Sequence, residues 1–129
     1  MKDDDANASD AEPSGLHPSL AEGIALFNAQ RFWHAHEAWE RLWLAVSGEE
    51  KIFLQGLIQF AAAYHHVQRG TFRGALRLFD AALSKVANVP VHFAGVNCTE
   101  VVAAARKHRS ILENGGHIDG EELPKFRYN

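Results

Sequence analysis

Cysteine is almost absent from this 129-residue sequence, and with Cys98 standing alone neither an internal disulfide nor a cysteine-rich zinc site can form. That excludes the disulfide-stapled class of small secreted domains and makes the reducing cytoplasm the expected location. Long apolar runs are missing too. The longest, from Leu57 to Tyr64, is broken by Gln59 and too short to cross a bilayer. The N-terminus, Met1-Lys2-Asp3-Asp4-Asp5, has neither an apolar h-region nor an arginine-rich amphipathic pattern, so no targeting segment and no membrane partner are expected. A strong charge of one sign is also lacking, since the net value is −3. The first 15 residues carry five acids against Lys2, which leaves 11 acids and 12 basic residues in the body. A nearly neutral body gives little electrostatic reason to expect nucleic acid as a partner.

What is present is helical pattern. Residues 1–16 read as a disordered acidic tail, 17–116 as one helical domain, and 117–129 as an irregular C-terminal tail that Phe126 and Tyr128 pin to the surface. Ser19 with Glu22, Ser47 with Glu50, and Asn97 with Glu100 have capping-box spacing, and each precedes an apolar periodic run. Helices are expected near 19–29, 31–46, 49–69, 71–88 and 97–113, separated at Gln30-Arg31, Gly48, Gly70, Pro90 to Gly95 and Gly115-Gly116. Val89, Val91 and Phe93 alternate briefly, but Pro90 and Gly95 make this segment a loop across the core rather than a strand.

An internal echo points to the architecture. Phe32, Ala35, Trp39 and Trp43 recur forty residues later as Phe72, Ala75, Phe79 and Leu83, while Leu20, Ile24 and Phe27 match Phe60, Tyr64 and Val67. Each half is a helical hairpin of tetratricopeptide type, with a small residue allowing close approach. Two copies are too few for a solenoid. The expected fold class is therefore all-α, a compact five-helix bundle built from two helical hairpins plus a C-terminal helix.

The densest chemistry lies between Phe32 and Trp43, where three tryptophans, two histidines and two glutamates share one helix. Trp39 and Trp43 fall on the core face, Trp33 nearer the polar edge, and His34 outside; His36 and Glu40 lie one turn apart, with Glu37 beside them. The next helix is apolar around most of its circumference, with Ile52 to Leu54 read as core. Its one polar line is Gln55, Gln59, Ala62 and His66. Buried unpaired polar groups cost about 1–3 kcal/mol, so the glutamines should pair with His36, Glu37 and Glu40.

Three motifs in order carry a family resemblance: Phe32-x-x-x-His36-Glu37-x-Trp39-Glu40-x-x-Trp43, Leu54-Gln55-Gly56-Leu57-Ile58-Gln59-x-Ala61-Ala62, and Arg69-Gly70-x-x-x-Gly74-Ala75. Together they resemble the DUF309 family of small all-helical proteins over about residues 20–112. The resemblance implies a compact multihelical fold and no particular activity. Thr71 departs from the asparagine common after that glycine in the family, though threonine can also cap the following helix.

Three readings of the polar cluster stand side by side. His36, Glu37 and Glu40 with Gln55, Gln59 and His66, and with Arg69 and Arg73 at the rim, would bind a small polar or anionic ligand; this is the leading functional reading. The same groups could instead form a structural network locking two helices in register. A metal-dependent enzyme ranks behind both, because His36, Glu37 and Glu40 with His65 or His66 match neither the zincin order nor a di-iron set, and no metal or cofactor is expected. A different class of function is a tetratricopeptide-like interaction module, whose groove or exposed Trp33 face takes a peptide or a second copy of the chain.

Elsewhere the bland reading is favoured. Arg69-Gly70-Thr71-Phe72-Arg73-Gly74 makes a tight hairpin more readily than a phosphate loop. Arg106-Lys107-His108-Arg109 reads as a solvated helix terminus. Cys98 reads as packing, despite a helix start that would lower its thiol pKa. His17, His92 and His117 are loop residues without evident partners.

Overall fold

The apolar periodicity resolves into five helices: α1 (Pro18–Asn28), α2 (Phe32–Trp43), α3 (Gly48–Arg69), α4 (Phe72–Val86) and α5 (Thr99–Glu113). The computed structural model describes residues 8–90, 92–119 and 123–129. The all-α class and the five-helix arrangement are as the sequence indicates, with one addition. Three two-residue strands, β1 (His92–Phe93), β2 (Val96–Asn97) and β3 (Arg127–Tyr128), form a small antiparallel sheet in that order. Ala94 (φ 55°) and Gly95 (φ 83°) both take the left-handed conformation, which gives the two-residue hairpin turn that joins β1 to β2. Pro90 precedes the strand instead of interrupting it, so the loop expected here is a hairpin.

The internal echo extends to the turns. In the first hairpin the Gln30 N–H donates to the Phe27 carbonyl (2.9 Å) and the Arg31 N–H to Leu26 (2.8 Å). In the second, Gly70 donates to Val67 (3.1 Å) and Thr71 to His66 (3.0 Å). Both are Schellman closures, and each places a residue just past its helix end at positive φ, 62° for Gln30 and 75° for Gly70. The Gln68 side-chain amide donates to the Gln30 carbonyl (3.0 Å), which brings the two turns to one end of the bundle.

Capping differs from the pattern in detail. His17 precedes α1 and its Nδ1 accepts from the Ser19 N–H (3.0 Å), with Pro18 opening the helix, so Ser19 lies inside the helix rather than capping it. Asn97 Oδ1 accepts from the Thr99 N–H (3.0 Å). Ser47 and Thr71 precede their helices without a side-chain cap bond.

The core is aromatic. Trp39, Tyr64, Phe27, Phe32, Phe53, Phe60, Phe79 and Phe126 are the largest fully buried side chains. Phe27 meets Phe32 (4.8 Å between ring centroids) and Phe126 (4.7 Å) edge-on, the geometry favoured by ring quadrupoles. Trp39 packs flat against α1 because Gly23 has no Cβ, and one added there would lie 2.0 Å from Nε1. The indole N–H donates to the Leu20 carbonyl (3.2 Å). Ala63 holds the matching small position in the second hairpin and is fully buried.

Residues 8–10 and 123–129 are tied to the body of the protein more closely than the sequence suggests. Phe126 lies inside the core, and Asn28 clamps its backbone with two hydrogen bonds, accepting from its N–H (2.8 Å) and donating to its carbonyl (2.9 Å). The C-terminal residues from Leu123 onward thus complete the core rather than resting on it as an irregular tail. Met1 to Asn7 of the acidic tail lie outside the described residues, but Ser9 pairs with Tyr128 through two backbone hydrogen bonds of 2.7 Å. Arg127 bonds both Asp10 and Glu100, fastening this segment to α5. No helix among the described residues is long and apolar enough to cross a membrane.

Candidate functional site

The expected pairing of His36, Glu37 and Glu40 with the glutamine line does not form among the described residues. His36 Nδ1 and Gln59 Oε1 are both buried without a hydrogen-bond partner. His36 Nδ1 stands 3.6 Å from Glu40 Oε1, close enough for a charge contact and too long for a hydrogen bond. Helix geometry gives the reason. Gln59 and His65 are six positions apart, about 120° around α3, so Gln59 is turned away from the edge that meets Trp33 on α2. Glu37 is exposed and borders a shallow surface recess with Glu40, Arg41, Trp43 and Leu44. Gln55 is half-buried, and Ile52, read as core, is 47% exposed.

A different set of side chains comes together at the end of the bundle that holds the two hairpin turns. Trp33 stacks on His36 with centroids 4.5 Å apart and planes 10° from parallel, and the His65 ring lies 5.2 Å from Trp33. Arg69 follows His65 by one turn on the same face of α3. Trp33 is 46% exposed while Trp39 is fully buried and Trp43 half-buried, which is the division expected from the helix face.

His66, expected in the cluster, belongs instead to the α3–α4 turn. The Thr71 hydroxyl donates to the His66 carbonyl (3.2 Å) and sits 2.6 Å from its Nδ1, while Gly74 leaves room for the ring. Threonine therefore braces the turn it follows rather than the helix it precedes. Arg73, on the first turn of α4, is exposed and makes no ion pair among the described residues; the same is true of Arg69.

The charged groups that act on His65 are all basic. His65 holds a proton less readily than a free histidine, first because of partial desolvation, then because Arg69, His66 and His36 all repel the added charge. Neither α2 nor α4 has an acid in its first turn. The sequence contains the signal for this arrangement in the pairs Trp33 with His36 and His65 with Arg69. The more conspicuous Glu-rich and Gln-rich lines obscure it.

Other titratable groups are structural. His108 is buried, so the supposedly solvated basic run is interrupted by a core residue. Cys98 is 2% exposed, and burial pushes its thiol up to about 12, the opposite of the helix-start effect. Lys51 Nζ lies 4.1 Å from the centre of the Trp43 ring, a cation–π contact that ties the start of α3 to the end of α2. Among the described residues no group of three or more His, Cys, Asp or Glu side chains is arranged to hold a metal ion.

Two known proteins are similar to the chain over most of its length. An uncharacterized protein of Aquifex aeolicus (strain VF5) is 31% identical over 111 residues, covering 85% of this chain and 32% of that protein. The chain thus spans about a third of that relative's length. The crystal structure of a conserved hypothetical protein from Thermus thermophilus is similar at 31% identity with a TM-score of 0.64, covering 72% of this chain and 97% of the other. Residues 20–78, which contain Trp33, His36, His65, Arg69 and Arg73, match the model of the domain of unknown function DUF309, and the chain belongs to that family.

Proposed function

We propose that the protein binds a small anion at the edge where α2 meets the end of α3, with Arg69 and His65 as the charged contacts and Trp33 and His36 as the wall. The observation supporting this is the contact of Trp33 with both the His36 and the His65 rings, with Arg69 one turn beyond His65; Glu40, 3.6 Å from His36 Nδ1, is the one acid among the described residues in contact with the set. The Arg69 guanidinium can donate paired hydrogen bonds to an anion, and a bound anion favours the protonated His65 that Arg69 otherwise disfavours. Relative to the sequence-based cluster, Glu37, Glu40, Gln55, Gln59 and His66 drop out, Arg73 stays at the rim, and Trp33 and His65 enter.

The test is a histidine-resolved NMR titration with inorganic phosphate at constant ionic strength. A bound anion raises the pKa of His65 saturably, and Arg69→Gln, at an exposed position, abolishes the effect without changing the melting temperature. A His65 titration indifferent to phosphate up to tens of millimolar refutes the reading.

The rival reading as a self-association module draws on Leu44 and Ile52, 76% and 47% exposed on either side of the α2–α3 turn. Light scattering decides it: a monomer at millimolar concentration removes that reading.

A further inference from the structure

Trp33 has a feature that simple anion binding leaves unused. A large apolar ring left 46% open to water gains little from its own fold, yet Trp33 is held in one orientation by the near-parallel His36 ring 4.5 Å away and by His65 at 5.2 Å. An exposed indole fixed in this way is a preorganised platform, because a ring stacking on it need not first order the side chain. On the α3 side of the platform the charge is positive, while Glu37 lies one turn along α2 from Trp33. Arg69 extends one helical turn, about 5.4 Å, beyond His65. Arg31 immediately precedes α2, and the Gln68–Gln30 hydrogen bond draws its loop toward Arg69. An aromatic surface in contact with His65, and a guanidinium one helical turn beyond His65, match a ligand whose flat ring and anionic group are separated by a short polar spacer. An inorganic anion would use only the arginine end.

We infer that the ligand of this edge is a heteroaromatic ring bearing a phosphate, of the nucleoside monophosphate class, with the ring stacked on Trp33 and the phosphate on Arg69. This deepens the anion-binding reading and rests on it. Stacking on an aromatic side chain is tolerant of ring identity, so the four common nucleotides should differ less from one another than each differs from phosphate.

The full-length chain is titrated with AMP, GMP, CMP, UMP, adenosine and inorganic phosphate at matched ionic strength, following the Trp33 indole resonance and the His65 ring. The expected result is binding of at least one nucleotide about tenfold more tightly than phosphate, with a shift of the Trp33 resonance. Trp33→Leu should bring the nucleotide-to-phosphate affinity ratio down to about one, whatever the affinity for phosphate itself, and Arg69→Gln should weaken both ligands. Nucleotides binding no better than phosphate, or keeping their advantage in Trp33→Leu, would overturn the ring assignment and leave the anion reading standing. Adenosine binding as tightly as AMP would overturn it from the other side. If phosphate and nucleotides alike fail to move His65, both readings fall. Should Trp33→Leu not fold, the wild-type indole shift and the nucleotide-to-phosphate ratio decide the question alone.

Discussion

The Tyr64 hydroxyl and His108 Nδ1 meet at 2.8 Å in the buried core, joining the middle of α3 to α5. Burial raises the tyrosine pKa and lowers that of the histidine, so both are neutral near pH 7 and one hydrogen serves the pair. Tyr64→Phe removes the hydroxyl and leaves Nδ1 facing a ring. The expected loss is about 1–3 kcal/mol in chemical denaturation, with the fold retained. A loss below about 0.5 kcal/mol, the size of a neutral surface change, would show that the pair contributes little.

The same contact predicts how stability follows pH. The unfolded chain protonates His108 near its ordinary value of about 6.5, whereas the folded chain, through burial first and Lys107 second, resists protonation to lower pH. Between the two values the unfolded state binds more protons, so stability rises with pH there. The contribution is complete above about pH 6.5 and is lost as pH falls. His108→Gln should flatten the dependence between about pH 5 and 7; parallel wild-type and variant curves would exclude this origin.

Gly23 and Trp39 predict a steric dependence. A methyl group at position 23 would sit 2.0 Å from Trp39 Nε1, so Gly23→Ala must displace the indole or separate α1 from α2. Overpacking of this kind costs about 1–3 kcal/mol, occasionally more, despite alanine's better helix propensity. A melting temperature unchanged or raised in Gly23→Ala would contradict the close approach. Partial recovery in Gly23→Ala/Trp39→Phe, despite the cavity a smaller ring leaves, would locate the clash.

The helices are legible in the sequence because periodicity and breaks are local, and the forty-residue echo correctly pairs them into hairpins. Phe126 and His108 are not legible for the opposite reason. Each is a residue in a polar stretch, recruited by a contact with Asn28 or Tyr64 that lies 98 or 44 residues away. The β1–β2 turn is hidden because Ala94 takes a conformation usually signalled by asparagine or glycine. At the site, the helical pattern correctly puts Trp33 at an edge and His36 toward α3. It matches that edge with the wrong line of the neighbouring helix, since Gln59 and His65 differ by only six positions in sequence but by a third of a turn in direction.

The two turns also differ in a way that can be measured. Gln30 and Gly70 occupy equivalent left-handed positions after α1 and α3, yet only one of them is glycine. An L side chain in that conformation costs roughly 1–2 kcal/mol, because Cβ crowds the following carbonyl. Gln30→Gly relieves the crowding and preserves the carbonyl that accepts from Gln68, since that bond uses only backbone on the Gln30 side. Part of the gain is cancelled by the greater freedom of glycine in the unfolded chain, and by the loss of whatever the Gln30 side chain contributes. The net expectation is a stabilisation of up to about 1 kcal/mol, read as a higher denaturation midpoint at unchanged m-value. The reciprocal change, Gly70→Gln, should destabilise by a similar amount, since no atom lies within 4 Å of a Cβ built there and only backbone conformation is altered. If Gln30→Gly is destabilising while Gly70→Gln is neutral, backbone conformation does not control these turns, and the equivalence of the two hairpins does not extend to their energetics.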